Sequence, residues 1–322
     1  MTTVEYLKNK VIGGGAITMA EAKNLYDQPL EQLTMAADSI REHFCGKAFD
    51  ICTIINGKSG KCSEDCKFCA QSAHNHTGAE EYPLLTTEEI LEQAKHSQQQ
   101  GVLRYSIVTS GKKLSKEEVE KMCLTIQEIR TKVDISLCGS FGLLTKTQYQ
   151  KLKKAGLTRV HNNLETSRRN FPNICTTHTF DDKIKAIKAA QKAGLSVCSG
   201  GIMGLPGETK EDRIDMAFTL RSLGIKSVPV NILNPISGTP FESTPKLTSE
   251  EIQRIVAVYR FILPDASIRL AGGRGLLYDK GELCFSSGAN AAISGDMLTT
   301  AGITVETDMK LLEKLGYEVK IQ

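Results

Sequence analysis

Asp50-Ile51-Cys52-Thr53-Ile54-Ile55, a short polar turn, and then Lys61-Cys62-Ser63-Glu64-Asp65-Cys66-Lys67-Phe68-Cys69 form the stretch on which the fold turns. The first six residues are mostly apolar and β-branched, as expected of a strand buried on both faces. Three thiols within eight residues can converge on one metal centre. Structural zinc sites usually take four protein ligands, often as paired C-x2-C knuckles. No fourth Cys or His completes such a knuckle at standard spacing, although His74 and His76 follow and leave a Cys3His zinc site open. Around a four-iron cube, three thiolates leave one iron free for a small molecule.

Outward from this stretch, apolar strands alternate with helical periodicity. Candidate strands lie near Asp50–Ile55, Arg104–Thr109, Val133–Cys138, Arg159–Leu164, Ser196–Met203, Ser227–Leu233 and Ser267–Leu270. Helices are expected over Thr87–Gln100, Ser115–Thr131, Lys146–Ala155, Phe180–Ala193, Lys210–Leu223 and Ser249–Leu263. Thr86-Thr87-Glu88-Glu89 opens the first of these as a capping box, and glycines such as Gly101, Gly156, Gly194 and Gly224 close several. Repeated β-α units make a parallel α/β protein, either doubly wound or a (β/α)8 TIM-type barrel. No Gly-x-Gly-x-x-Gly follows the first strand, which favours the barrel. Barrel active sites form on the loops after the strands, where the cysteines lie. Residues 1–45 read as an N-terminal helical extension, 46–271 as the barrel and 272–322 as a C-terminal cap completing it.

The 322 residues carry a formal charge of +3, with 40% hydrophobic and 24% charged residues. These are globular values. The near-balance argues against nucleic acid or a polybasic membrane patch as partner, and no apolar run is long enough for a spanning helix. No export signal is evident, so a cytoplasmic, reducing setting is expected, where cysteines bind metal or catalyse more often than they pair.

C-x3-C-x-aromatic-C after a first barrel strand resembles the signature of the radical S-adenosylmethionine superfamily. The resemblance narrows further along the chain. Cys62–Ser72 reads Cys-Ser-Glu-Asp-Cys-Lys-Phe-Cys-Ala-Gln-Ser, and His161-Asn162-Asn163-Leu164-Glu165-Thr166-Ser167 follows. Then come Val197-Cys198-Ser199-Gly200-Gly201-Ile202, Val228-Pro229-Val230-Asn231, Gly238-Thr239-Pro240, Ile268-Arg269-Leu270 before Gly272-Gly273-Arg274, and Cys284-Phe285 before Gly288-Ala289-Asn290. In this order they resemble the biotin synthase family over roughly residues 40–305.

That resemblance implies sulfur insertion into dethiobiotin by a radical mechanism. An unactivated C–H bond is beyond acid–base chemistry, so a radical cofactor is needed. By resemblance Cys62, Cys66 and Cys69 hold the 4Fe–4S cluster that cleaves S-adenosylmethionine. Phe68 packs near its adenine, Asn163 and Glu165 hold its ribose, and His178 lies near its carboxylate. Asn231 contacts substrate. The Ser199-Gly200-Gly201 stretch lets backbone approach the cofactor. Plainer readings stand beside these: Phe68 as a loop anchor, the two asparagines as buried amides, His178 as a helix-cap residue. A homodimer and an electron donor such as flavodoxin or ferredoxin are also implied.

The sequence departs from the family at the auxiliary cluster that donates sulfur. The familiar form is a 2Fe–2S cluster on three strand cysteines and an arginine. Cys138, Cys198 and Arg269 match, but Ser106 stands where the third cysteine is expected, and a neutral hydroxyl is a poor thiolate substitute. Cys175, in the loop after the fourth strand, is the expected replacement. Cys138, Cys175 and Cys198, with Arg269 as a further candidate ligand, would then hold a 4Fe–4S-type auxiliary cluster. Cys52 remains a candidate interior cysteine. Competing readings are a radical enzyme of the hydrogenase-maturation or thiamin-synthesis type and a non-catalytic iron–sulfur protein.

Overall fold

Every pairing in the central sheet is parallel, because each strand returns to the next through a helical crossover. The computed structural model describes residues 1–321. Its strands are β1 (Ala48–Lys58), β2 (Arg104–Thr109), β3 (Ser136–Ser140), β4 (Arg159–His161), β5 (Ser196–Cys198), β6 (Gly201–Met203), β7 (Ser227–Ile232), β8 (Ser267–Leu270), β9 (Ala291–Ser294) and β10 (Glu318–Val319). They run in the order β1-β2-β3-β4-β5-β7-β8-β9, with β6 beside β7, and β9 pairs back to β1. Counting β5 and β6 as one interrupted strand, this is the closed (β/α)8 barrel expected from the sequence. The short β10 adds to the start of β1.

The helices are α1 (Thr3–Ile12), α2 (Met19–Tyr26), α3 (Leu30–Cys45), α4 (Thr87–Gln99), α5 (Lys116–Lys132), α6 (Lys146–Ala155), α7 (Phe171–Ile174), α8 (Phe180–Lys192), α9 (Lys210–Ser222), α10 (Ser249–Ile262), α11 (Glu282–Phe285) and α12 (Val305–Lys314). Reciprocal capping boxes start α4, α5, α6, α8 and α9. Each satisfies orphan N–H groups at the helix start and fixes where the crossover begins. The N-terminal helices cover α10, with α3 packed along it. That cover explains why α10 is buried nearly all round, Arg260 included, whose guanidinium is spent on the carbonyls of Gly288, Pro264 and Ala266 and on Asn290 Oδ1.

Three local features differ from the sequence reading. Val133 ends α5, its N–H bonding to Ile129 O, so β3 starts later than expected. The Ser196–Met203 segment is broken at Ser199-Gly200. A side chain at Gly200 would meet Pro229 O at 2.0 Å, so the backbone dips against β7 at a point only glycine permits. The closing strand β9 lies in Ala291–Ser294, which the strand pattern did not mark. Among the described residues no helix is long and apolar enough to cross a membrane.

Candidate functional site

The cysteine loop leaves β1 through Ser59 and Gly60 and is held by its own backbone. Cys62 N–H donates to Gln71 O, and Cys69 N–H to Cys66 O. The Asn75 amide donates to Cys66 O at 3.2 Å and to Cys69 O at 2.8 Å. With the main chain so occupied, Cys62, Cys66 and Cys69 line the barrel mouth, around a cavity of about 430 Å³. Burial pushes the Cys69 thiol up to about 11. Phe68 lies on the same wall, half-buried against the core. Three thiols on one wall of a roomy cavity are the donor set of a site-differentiated iron–sulfur cube, and these residues fit that group. The zinc alternative finds no support. His74 and His76 are exposed, and His74 Nε2 is engaged with Ser63 O.

The histidine that joins the loop is His178. Cys66, Cys175 and His178 bring their ligand atoms within 4.8 Å of one another. His178 Nδ1 lies 2.6 Å from Glu64 Oε2 and 3.3 Å from Cys175 Sγ. A hydrogen bond from Cys66, with smaller ones from His178 and Thr177, outweighs burial and pulls the Cys175 thiol down to about 4. Cys175, expected from the sequence beside Cys138 and Cys198, is gathered with Cys66 and His178 at the barrel mouth, against the cysteine loop. The cause is local: Lys67 N–H donates to Ile174 O, and Asp65 accepts from the N–H groups of Thr176 and Thr177. The turn after α7 is therefore stitched to the loop that carries Cys66.

Asn163, Glu165 and Asn231 all line the same cavity. Glu165 has φ 69°, a left-handed backbone rare for a residue with a side chain and frequent where function demands it. The turn is locked by Glu165 N–H to Gly200 O at 3.1 Å and Ile202 N–H to Glu165 O at 2.8 Å. A Cβ on Gly201 would meet Glu165 O at 2.5 Å. The two glycines thus admit neighbouring backbone, from Pro229 at Gly200 and from Glu165 at Gly201. Burial raises the Glu165 carboxyl, opposed by Lys183, His178 and Asn163. Asn231 bridges Gly201 O and Gly272 N–H, at 3.1 and 2.9 Å, so its amide also braces the barrel rim.

Deeper in the barrel, Cys138 and Cys198 are fully buried with His161 between them. Burial opposes the charged forms. Even so, the Cys198 thiol falls to about 6 through His161 and two arginines, and the imidazole rises to about 9 through the thiols. Beneath them Asp50 pairs with Arg104 at 2.9 Å, Arg269 at 3.1 Å and Arg159 at 3.4 Å. Three guanidiniums against one carboxylate leave a positive floor that suits an anionic cluster on thiolates. Ser106 Oγ and Arg269 Nε, both buried, have no hydrogen-bond partner among the described residues. This donor set and these orphan atoms fit an auxiliary cluster. The sequence reading assigned His161 no role; its signal was its place two residues before Asn163, with which it lines the same cavity.

Residues 58–220 match the Radical SAM superfamily, and residues 229–318 match the Biotin and Thiamin Synthesis associated domain. A biotin synthase of Akkermansia muciniphila is 57% identical over 322 residues, covering all of both chains. One of Brachyspira hyodysenteriae is 58% identical over 320 residues, covering 99% of this chain and 96% of the relative. Among solved structures, methylornithine synthase superposes with a TM-score of 0.85 at 22% identity, over 98% of this chain and 97% of that one. The FeFe-hydrogenase maturase of Carboxydothermus hydrogenoformans gives 0.83 at 18%, over 98% and 78%. At such identities the structural likeness speaks for the fold alone.

Proposed function

The chain belongs to the biotin synthase family of the radical S-adenosylmethionine superfamily, and from that we propose that it inserts sulfur into dethiobiotin to form biotin. The observation that carries this reading is one cavity with two thiol sets. Cys62, Cys66 and Cys69 stand at its mouth, and Cys138 and Cys198 lie beneath its floor with Arg269. An enzyme that must make a radical at one place and deliver sulfur from another needs this arrangement in depth. When bound, the first cluster with S-adenosylmethionine supplies a 5′-deoxyadenosyl radical, and the auxiliary cluster supplies sulfur.

The protein's own part is to bind, orient and exclude water. Phe68 offers an apolar face at the mouth for the adenine. Asn163 and the left-handed Glu165 present polar groups for the ribose, and Glu64 orients His178 toward the methionine end. Asn231, on the opposite rim, faces the substrate. The barrel wall around them keeps a reactive radical away from water. Cys138 and Cys198, above the arginine floor, would hold an auxiliary cluster of the 4Fe–4S type, which would leave an iron not bound by thiolate for further sulfur. The protein works in the cytoplasm as a homodimer, reduced by a flavodoxin- or ferredoxin-type donor. The hydrogenase-maturation alternative shares the barrel but has no observation in its favour.

Anaerobically reconstituted protein, given dethiobiotin, S-adenosylmethionine and a low-potential reductant, is expected to form biotin together with 5′-deoxyadenosine. S-Adenosylmethionine should also shift the EPR signal of the reduced cluster. Deoxyadenosine without biotin would sink the proposed substrate, and an unmoved EPR signal would sink the radical reading altogether.

A further inference from the structure

We infer that Cys52 is the third thiolate ligand of the auxiliary cluster, beside Cys138 and Cys198, with Arg269 in the same layer as a hydrogen-bond donor to it. The inference rests on the reading that this chain holds an auxiliary cluster, and adds which residue replaces the thiol missing at Ser106.

The strand registers carry it. In an eight-stranded barrel of this type the interior fills in layers of four side chains, taken from alternate strands. The stagger of the barrel means that each step across two strands advances about two residues within a layer. From Cys52 the hydrogen-bonded ladder passes through Arg104 to Ser136, and two residues further is Cys138. From Cys138 it passes through Arg159 to Ser196, and two further is Cys198. From Cys198 it passes through Ser227 to Ser267, and two further is Arg269. From Arg269 it passes through Ala291 to Asp50, and two further is Cys52 again. The circuit closes on itself. Three cysteines and one arginine therefore occupy a single layer, each from a strand separated from the next by one neighbour.

Ser106 belongs to the next layer. The same walk from Ser106, through Cys138 to Arg159, leads to His161, then to Pro229, then to Ile293, and back to Ser106. All four of these residues line the cavity floor. The familiar arrangement draws its third thiol from the Ser106 position; this chain has one a layer lower, on the adjacent strand.

Two further observations point to a ligand in that layer. Arg269 is 1% exposed, yet its Nε has no hydrogen-bond partner among the described residues. A guanidinium nitrogen left unpaired at such depth is costly unless something accepts from it. Cys52 itself is 1% exposed, and its thiol donates only to the adjacent Thr53 carbonyl at 3.3 Å, a weak contact that a thiolate relinquishes. Cys175 is not a competitor for the place, because it is bound up with Cys66 and His178 at the mouth.

The test uses full-length protein reconstituted anaerobically with enriched iron and sulfide. Native protein, Cys52→Ser, Cys52→Ala, Ser106→Ala and Cys138→Ala are compared by iron and sulfide content and by Mössbauer spectra. Native protein is expected to hold about eight irons, and both Cys52 variants about four, matching Cys138→Ala. Ser106→Ala should keep the native content. The S-adenosylmethionine-dependent EPR shift of the first cluster, retained in the Cys52 variants, shows that the fold is intact. A second cluster in native protein that persists unchanged in Cys52→Ser and Cys52→Ala overturns the assignment while leaving the proposed function standing. Native protein with only the first cluster overturns both.

Discussion

Asp65 reaches out of the cysteine loop to accept the backbone N–H of Thr176 at 2.8 Å. The same carboxylate takes the Thr177 N–H at 3.2 Å and the Thr176 hydroxyl. It is the clamp that sets Cys66 against Cys175 and His178. Asp65→Ala should cost about 1–2 kcal/mol of stability from the lost charge-assisted bonds. It should also weaken S-adenosylmethionine binding, because the loop loses its second anchor. Burial disfavours the charged form, but the Thr176 donors outweigh it and hold the carboxyl well below the usual carboxylate range. A folded-state pKa below the unfolded one means the contribution is complete above about pH 4 and fades as pH falls further. Melting temperatures of native and variant protein should therefore converge in acid. A gap that stays constant down to pH 3 would show that the carboxylate charge is not what holds the clamp.

Cys175 supplies the second prediction. Because it touches Cys66 and His178, Cys175→Ala should leave the auxiliary cluster's iron in place. It should instead alter the EPR spectrum of the first cluster. Cys62→Ala, Cys66→Ala and Cys69→Ala should each abolish that spectrum and all S-adenosylmethionine cleavage. Loss of the auxiliary cluster in Cys175→Ala would contradict the location of this thiol at the barrel mouth.

Asp50 stands alone against Arg104, Arg159 and Arg269 and has no solvent exposure. Burial opposes its ionisation, and the three guanidiniums overcome that and keep its carboxyl below the ordinary value. Asp50→Asn leaves three buried cations without a counter-ion. Removing one partner of a buried pair costs about 3–5 kcal/mol, so chemical denaturation of the apo protein should shift by that order. Reconstitution should return part of the loss, since an anionic cluster above the arginines takes over some of the compensation. Equal destabilisation in apo and holo protein would separate the arginine floor from the cluster.

The features legible in the sequence were those written in local chemistry. Capping boxes such as Thr86 with Glu89 fixed helix starts, and β-branched runs such as Arg104–Thr109 marked strands. The closing strand escaped because Ala291-Ala292-Ile293-Ser294 is short and alanine-rich, and becomes a strand only through pairing with β1 and β8. Cys175 was placed at the barrel mouth, but the direction of its thiol depends on tertiary bonds from Asp65 and Lys67, distant in sequence. The Cys52 layer needed the registers of all eight barrel positions, which no single strand encodes. By contrast, the alternation of Arg159, Val160 and His161 along β4 follows from period two alone.

Glu165 combines a strained backbone with a side chain in the cavity, and the two can be separated by substitution. Its φ of 69° costs an L-residue about 1–2 kcal/mol relative to glycine. Glu165→Gly relieves that strain but frees the unfolded chain, a loss of about 0.4–1 kcal/mol. The net effect on stability should therefore lie between neutral and a gain of about 1.6 kcal/mol, read from the denaturation midpoint. Binding should move the other way. Loss of the carboxylate should weaken S-adenosylmethionine affinity about tenfold or more, the value of a hydrogen bond to a charged group. Glu165→Gln keeps the backbone strain and the shape, so it should match native stability while sharing most of the binding loss. If Glu165→Gly is instead clearly destabilised and Glu165→Gln binds normally, then the side chain braces the turn through Asn163 and Lys183 and does not reach for the cofactor.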